Sequence, residues 1–513
     1  MKLLVLTRIL VTLSLSVTFS ACSKPLCGTA EVGSTAEGLV LRVDDSEVRR
    51  LTGETFGFNL EAVEFQLSLW DRKQRRVDPS VLAALKPFEG AIYRFPGGSI
   101  ANHYRWPAGT GSPEKRKAAK VVEWTELDRI DFGMSEYLDF VDKVGGVPWY
   151  IVNLLGSFEE LAPLDEMKEE GARLARLLQE SGHRLLRWEL GNELDRGKDL
   201  WTFDKYLHRA GEVRKAIAEA EPKARFVGMM ADYDAQKSRG VTSSDYNRAV
   251  AEALAKSGVT EFQQHLYYDG PPEGPTIPNR LGQLCRSIQD ARSAGVPAEG
   301  FGFWVSENAR WPQSDPGKPW KEAWRKSADL GAAISVADML IALTQIPEIR
   351  GSVLHSLHGT GGPWPLFHAR GRNNTGPFAP AATLQGYSLL RQTMLPVALQ
   401  TRSSSTSTSG YAGGYDGRGV VMSSVDRKQF SVWAINRRPG TLEVQLEVAA
   451  LAGQRFTASL QQLSSSSQSA HNYDADVVKP RETRIDLRFD NQGTARFVLE
   501  PNSVSALSFR IEG

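Results

Sequence analysis

The stretch "RWELGNELD", Arg187–Asp195, decides how the chain is read. Its first half looks like a short buried strand, and it breaks off abruptly at Gly-Asn-Glu. Two glutamates, Glu189 and Glu193, stand where apolar residues are expected. A buried carboxylate must be hydrogen-bonded or ion-paired, so each needs a partner from elsewhere in the fold.

Seven other runs share this texture: "GETFGFNLE" from Gly53, "GAIYRFPGG" from Gly90, "PWYIVNLLG" from Pro148, "ARFVGMMAD" from Ala224, "EFQQHLYYD" from Glu261, "FGFWVSEN" from Phe301 and "GSVLHSLHG" from Gly351. Helix-like stretches separate them. In "EMKEEGARLARLLQESG", Ala172, Leu174, Leu177 and Leu178 are read as one apolar stripe. Strand and helix alternating eight times predicts a parallel sheet covered by helices, in its closed form a (β/α)8 TIM barrel over 49–395. A doubly wound open sheet is the runner-up, disfavoured because no Gly-x-Gly-x-x-Gly turn follows the first strand.

Beyond residue 396 the texture changes. "RSSSTSTSG" reads as a polar loop or linker, and "SSSSQS" as an exposed loop. Alternating runs such as "FSVWAINRR", "LEVQLEVAA" and "VSALSFRIE", separated by turn signals, predict an antiparallel β-sandwich over 396–513. The segment "LVLRVDDSEV", at the end of a tether spanning 23–48, is a candidate further strand of that sandwich.

The N-terminus has the form of an export signal over 1–22. Lys2 and Arg8 precede an apolar run too short for a membrane span, so the mature chain is expected to have no transmembrane segment. The ending "FSACS" also resembles a bacterial lipobox with Cys22 as the lipidated residue, although Phe19 stands where Leu is usual. Two destinations follow: secretion, or a lipid-anchored protein of the periplasm or cell surface. Only Cys27 and Cys285 accompany Cys22, and no disulfide framework is expected. Lysine and arginine number 61 against 60 aspartates and glutamates, which leaves no basic footprint for nucleic-acid binding. Nucleotide-loop and metal-binding motifs are absent, so no cofactor and no metal are expected.

A barrel of this kind keeps its chemistry at the C-terminal ends of its strands. Those ends offer Arg94, Asn153, Asn192 with Glu193, His265 with Tyr267, and Glu307. His355 and His358 follow the last run. Glu189 lies mid-strand and is read as structural, and Tyr268 points to the opposite face from Tyr267. Trp106, Trp311 and Trp364 are candidate platforms for sugar rings. Two glutamates at one mouth suggest glycosidic bond hydrolysis: one carboxyl protonates the leaving oxygen and the other, ionised, attacks the sugar. Their surroundings should separate their pKa values, with Arg94 as the cation that keeps one ionised.

With "RFPGG", "WELGNE", the His-x-Tyr of His265 and Tyr267, and "SEN" in hand, the chain resembles the clan A glycoside hydrolases. Within them it is similar to family 51 α-L-arabinofuranosidases and to family 79 β-glucuronidases and heparanase-like enzymes. The resemblance extends to the β-domain through "FVLEPNSVSALSF". It implies a retaining hydrolase acting on an oligosaccharide or polysaccharide, with Glu193 as acid/base, Glu307 as nucleophile and Asn192 holding a sugar hydroxyl. For a glucuronidase, Arg105 or Arg310 are candidate partners of the sugar carboxylate. From a different class, a carbohydrate-binding protein on a degenerate barrel is the alternative.

Overall fold

A computed structural model describes residues 37–511, apart from 117–118, 123–124, 128, 159, 197–200, 233–240, 271–273, 313–318 and 360–361. The stretch expected to be an export signal, with Cys22, lies outside the described residues. Eight parallel strands close into a barrel: β1 (Phe56–Asn59), β2 (Ile92–Phe95), β3 (Val147–Val152), β4 (Arg187–Leu190), β5 (Phe226–Met229), β6 (Glu261–Tyr268), β7 (Gly302–Arg310) and β8 (Ile349–Leu354). Each coincides with one of the eight apolar runs. They stand in sequence order around the barrel, with β8 pairing β1 and β4 pairing β5.

The interior is layered, because side chains along a strand alternate between inside and outside. Ile92, Trp149, Val227, Trp304 and Val353, from five different strands, form one inner apolar cluster. On β4, Trp188 and Leu190 join the larger core outside the barrel, while Arg187 and Glu189 pair with groups of other strands. Arg187 meets Glu261 at 2.7 Å, and Glu189 meets Arg94 nearer the C-terminal mouth. The strand is therefore polar on one face, and the alternation "RWEL" carries that information.

Helix Leu164–Glu180 buries Met167, Gly171, Leu174, Ala175 and Leu178, spaced three and four apart. Leu177, read from sequence as part of the buried stripe, is 38% exposed, since it lies off that row. Helix Leu330–Thr344 is buried along its whole length. It packs on β7 and β8 on one side and on β-domain strands on the other, which explains why it is apolar all round.

The β-domain is one hydrogen-bonded sheet of nine strands among the described residues. Seven of the strands are the alternating C-terminal runs. Leu487 and Leu499, on strands at opposite ends of the sheet order, share one core with Leu41 and Val432, so the sheet folds over itself into two packed layers. Strand Leu39–Arg50 pairs antiparallel with Val397–Ser405 and parallel with Leu442–Glu447, so a segment preceding the barrel lies inside this sheet.

Two expectations are corrected here. "RSSSTSTSG" is not wholly a loop: Arg402 to Ser405 complete strand Val397–Ser405, held by their pairing with Leu39–Arg42. The polar side chains of Ser403 and Ser405 accept hydrogen bonds from backbone N–H groups of the neighbouring strand, which lets serines stand in a buried strand. Cys285 is disulfide-bonded, against the expectation from cysteine count, and the chain's other two cysteines lie outside the described residues.

Barrel and β-domain are joined by a buried ionic cluster. Asp338, on the helix between them, accepts hydrogen bonds from Tyr415 Oη at 2.5 Å, Arg418 Nε at 2.6 Å and Arg437 Nη2 at 2.7 Å. Burial pushes the Asp338 carboxyl up, but Arg418 and Arg437 outweigh it and hold the group below its ordinary value. Its contribution to stability is thus complete above the ordinary carboxylate range and is lost only as pH falls through the lowered folded-state value. Asp338→Ala strands the buried guanidinium of Arg418 and leaves Arg437 with Asp269 alone, and should cost on the order of 3–5 kcal/mol, read as a lower urea midpoint. An unchanged midpoint would show that water or neighbouring groups compensate the two cations.

Candidate active site

At the centre of the barrel mouth lies Arg94, fully buried. Its Nε and Nη2 donate to the two oxygens of Glu189 at 2.8 and 2.9 Å. Nη1 donates to Asn59 Oδ1 at 2.8 Å and to Glu307 Oε2 at 3.0 Å, and Nη2 also donates to Asn192 Oδ1 at 2.7 Å. Burial disfavours the charge, but Glu189 and, behind it, Glu307 and Glu193 outweigh burial and raise the Arg94 pKa above its ordinary value. Glu189 takes a further hydrogen bond from Trp149 Nε1 at 2.7 Å and one from Ser306 Oγ at 3.2 Å. It is structural, as its mid-strand position predicted.

The two other glutamates come together above this pair. A register shift between β6 and β7 after Gln263 sets His265 level with Glu307. His265 Nδ1 lies 2.7 Å from Glu193 Oε1 and 3.8 Å from Glu307 Oε1. Arg94 Nη2 lies 3.3 Å from His265 Nε2, and a guanidinium can only donate. His265 Nε2 is therefore the acceptor and Nδ1–H donates to Glu193.

Glu307 is surrounded by donors: Tyr267 Oη to Oε1, Arg94 Nη1 to Oε2, and Asn59 Nδ2 to Oε2 at 3.4 Å. Burial raises the carboxyl, whereas the His355 and His265 rings in their protonated forms, and Arg94, lower it, and the net direction is below its ordinary value. Such a group is ionised at neutral pH and suited to nucleophilic attack. Asn59 Nδ2 also donates to His355 Nδ1 at 2.7 Å, and burial lowers the His355 pKa to about 4, so this ring is neutral at pH 7.

Glu193 departs from the expected separation of pKa values. Burial raises it, but Arg196, then His265 and Arg94, hold it below the ordinary carboxylate range. Arg196 was not singled out from the sequence, because its contact with Glu193 arises from a turn. The Arg196 N–H donates to Glu193 O at 3.1 Å, and the guanidinium folds back onto Glu193 Oε1. Glu193 itself has φ +50°, a left-handed conformation costing about 1–3 kcal/mol for a non-glycine residue. Asn102 helps hold it there: its side chain donates to Asn192 O at 2.8 Å and accepts from Asn192 N–H at 3.3 Å.

Glu61, at the end of run "GETFGFNLE", is a further site residue that the sequence reading passed over. Burial, then Glu64 and Glu307, raise its carboxyl well above the ordinary value, which favours the protonated form. The "RFPGG" motif makes room for it. A Cβ on Gly98, which has φ +48°, would stand 1.8 Å from Glu61 Oε1. The signal was available, since this run, like β4, ends in a carboxylate.

Other candidates fall on either side of the line. Trp311 joins Tyr267 and Trp364 in an aromatic wall, with ring centroids 5.3 and 5.4 Å away. Asn153 does not reach the cluster: both ends of its amide bind backbone, Nδ2 to Tyr104 O and Gly156 O, Oδ1 from Leu155 and Gly156 N–H, so it shapes the loop after β3. Trp106 is buried and donates to Glu170 O at 3.1 Å. His358 is tied to the backbone oxygens of Gly359 and Pro363. Arg105 pairs with Glu166 and Glu170, and Arg310 with Asp329, so neither is held ready for a sugar carboxylate.

Glu193, His265 and Glu307 offer three ligand-type atoms all within 4.8 Å of one another. A dication there would face Arg94 against Glu307 and Arg196 against Glu193, and both carboxylates already accept hydrogen bonds from their neighbours. The chemistry of the cluster is that of a carboxylate pair in an electropositive frame. Because Glu189 neutralises a buried guanidinium, Glu189→Ala should lower stability by about 3–5 kcal/mol, and Glu189→Gln by less, in urea denaturation. Equal stability of wild type and Glu189→Ala would show that Glu307 alone suffices as the counterion of Arg94.

Residues 84–270, from just before β2 to just after β6, match the family described as the alpha-L-arabinofuranosidase 1 domain. That span contains Arg94, Glu193, His265 and Tyr267 but stops short of Glu307. Alpha-L-arabinofuranosidase C of Emericella nidulans is 28% identical over 252 residues, covering 43% of this chain and 47% of that protein. The intracellular exo-alpha-(1->5)-L-arabinofuranosidase of Streptomyces lividans is 27% identical over 210 residues, covering 38% of this chain and 30% of that protein. The matches thus span less than half the length of these curated relatives. In fold the likeness is nearly complete. The α-L-arabinofuranosidase of Thermotoga maritima superposes with a TM-score of 0.72 at 18% identity, over 93% of this chain and 100% of that one. A family 51 α-L-arabinofuranosidase of Bifidobacterium longum gives 0.74 at 16% identity, over 93% and 100%. In the sequence of half its barrel and in the fold of barrel and β-domain together, this chain is similar to the family 51 α-L-arabinofuranosidases of the clan A glycoside hydrolases.

Proposed function

We propose that the chain is an exported retaining glycoside hydrolase that removes α-L-arabinofuranosyl groups from an oligosaccharide or polysaccharide. The observation that carries this reading is the juxtaposition of Glu193 and Glu307, whose carboxylate oxygens approach within 4.8 Å across the barrel mouth. Carboxyl groups about 5–5.5 Å apart suit retention, whereas inversion needs room for a water between them.

In the first step Glu307 attacks the anomeric carbon while Glu193, protonated, gives its proton to the leaving oxygen. In the second, the Glu193 carboxylate takes a proton from water, the hydroxide attacks the same carbon, and the Glu307 ester bond breaks. Tyr267 and Arg94 stabilise the Glu307 carboxylate on departure. Asn192 Nδ2 is buried without a hydrogen-bond partner among the described residues, a donor that a sugar hydroxyl would satisfy. The aromatic wall of Tyr267, Trp311 and Trp364 offers apolar surface for the C–H edges of a sugar.

The arabinofuranoside reading is favoured over the glucuronide one on two grounds. The named relatives are arabinofuranosidases, and Arg105 and Arg310 are already paired with carboxylates of the chain itself. Export is supported by the signal-like N-terminus and by the disulfide at Cys285, since disulfides persist in oxidising compartments. Among the described residues no helix is long and apolar enough to cross a membrane.

Turnover of an aryl α-L-arabinofuranoside, compared with an aryl β-glucuronide, tests the substrate, and NMR of the first-formed sugar should show retained configuration. Glu193→Ala should lower kcat/KM by roughly 10²–10⁴-fold, less for a leaving group that departs without a proton. Full activity in Glu307→Gln would sink the mechanism. Tyr267→Phe removes a hydrogen bond to a charged group, worth about 1.5–3 kcal/mol, so kcat/KM should fall roughly 10–100-fold with the fold intact.

A further inference from the structure

We propose that Arg196 is a positioning residue that grips Glu193 as a carboxylate, and so sets how low the pH must fall before Glu193 carries the proton that the first step needs. The inference rests on the hydrolase reading above and deepens it.

The geometry is a chain of alternating charges. Arg196 Nη2 contacts Glu193 Oε1, and its Nη1 donates to Asp232 Oδ2 at 2.9 Å. Asp232 is held by its own N–H, which donates to Asp195 Oδ2 at 2.9 Å, and by Arg280 Nη1 at 3.5 Å. Arg280 in turn donates from Nε to Tyr267 O at 2.7 Å, so the far end of the chain reaches the strand that carries the nucleophile's hydrogen-bond donor. On Glu193, Oε1 takes both Arg196 and His265 Nδ1–H. The Arg196 and Glu193 side chains are 29% and 24% exposed, so the pair stands at the open edge of the site.

Several charged groups among the described residues surround Glu193. Its own turn presents Arg196 and Asp195, the end of β5 presents Asp232, β6 presents His265 and Tyr267, β2 presents Arg94, and β7 presents Glu307. Arg94 is already bound through two oxygens to Glu189, and Arg280 faces Asp232. Arg196 alone among the described cations touches the Glu193 carboxylate, and after burial, which raises that carboxyl, it is the largest influence and lowers it. An opposite charge at this distance favours the ionised form.

The two steps ask opposite things of Glu193. In glycosylation its O–H bond breaks, the proton goes to the leaving oxygen, and the carboxylate that forms receives the grip of Arg196. In deglycosylation that carboxylate accepts a proton from water as the hydroxide bonds to the anomeric carbon and the Glu307 ester breaks. By then Glu307 is esterified and its charge no longer opposes ionisation of Glu193. A permanent cation beside Glu193 therefore stabilises the carboxylate that the first step leaves behind, and confines the protonated form which that step needs to lower pH.

The test uses full-length protein labelled with carboxyl-¹³C glutamate, with the Glu193 resonance assigned by its absence in Glu193→Gln. In Arg196→Gln the Glu193 carboxyl should titrate roughly 1–3 pH units higher than in wild type, and Arg196→Lys should restore most of the wild-type value. In parallel, the basic limb of kcat/KM on an aryl arabinofuranoside should move up by the same interval. Identical titration of Glu193 in wild type and Arg196→Gln overturns the proposal, whatever the kinetics. A shifted titration without turnover of any aryl glycoside would uphold the grip of Arg196 on Glu193 and remove the hydrolase reading. Turnover with an unmoved pH profile would do the reverse.

Discussion

A guanidinium buried at the barrel axis is the constraint on which the site depends. Removing Arg94 from water is costly unless every donor finds a partner and the charge finds an anion. Glu189 supplies the anion through two parallel hydrogen bonds, and Asn59, Asn192 and Glu307 take the remaining donors. These partners come from β1, β4, β7 and the turn after β4, so one side chain ties together much of the barrel mouth. The same saturation explains why Glu307 can be both buried and ionised. It also leaves Arg94 with its donors committed within the protein.

Asp269 follows directly after β6, the strand that carries His265 and Tyr267. Its carboxylate accepts hydrogen bonds from Tyr411 Oη at 2.7 Å and Arg437 Nη2 at 3.1 Å, both from the β-domain, and from Ser335 Oγ at 2.7 Å on the helix between the two. Arg437 also binds Asp338 on that helix. The exit of β6 is therefore pinned from outside the barrel. Tyr267, which donates to Glu307, stands two positions before the pinned Asp269.

Much of this was legible in the chain. Short apolar runs with abrupt polar endings, separated by helix-like stretches, marked all eight barrel strands, and because such barrels collect their strand ends at one mouth, Arg94, Glu193, His265, Tyr267 and Glu307 could be placed together without knowing any distance. Glu61 carried the same signal and was overlooked beside the more obvious "GNE". Asn153 carried it too and misled, because an asparagine after a strand serves equally well to close its own loop. Trp106 failed for a related reason: a tryptophan near a motif is more often packed than presented. Ser403 and Ser405 looked like linker because composition alone does not show a neighbouring strand whose N–H groups they can bind.

What sequence determined by itself was therefore periodic and local: the strand count, the two architectures, the positions where chemistry could stand, and the inequality of Glu189 and Glu193. Tertiary structure decided everything that depends on which charges meet. It joined the segment before the barrel to the β-domain through strand Leu39–Arg50. It set His265 level with Glu307 through a shift of register and turned Glu193 into a left-handed conformation. It also brought Arg196 back onto Glu193, reversing the expected direction of that group's pKa. The physical reason is the same in each case. Hydrophobic periodicity is written along one strand or helix, whereas the energy of a buried charge is set by neighbours that arrive from distant parts of the chain.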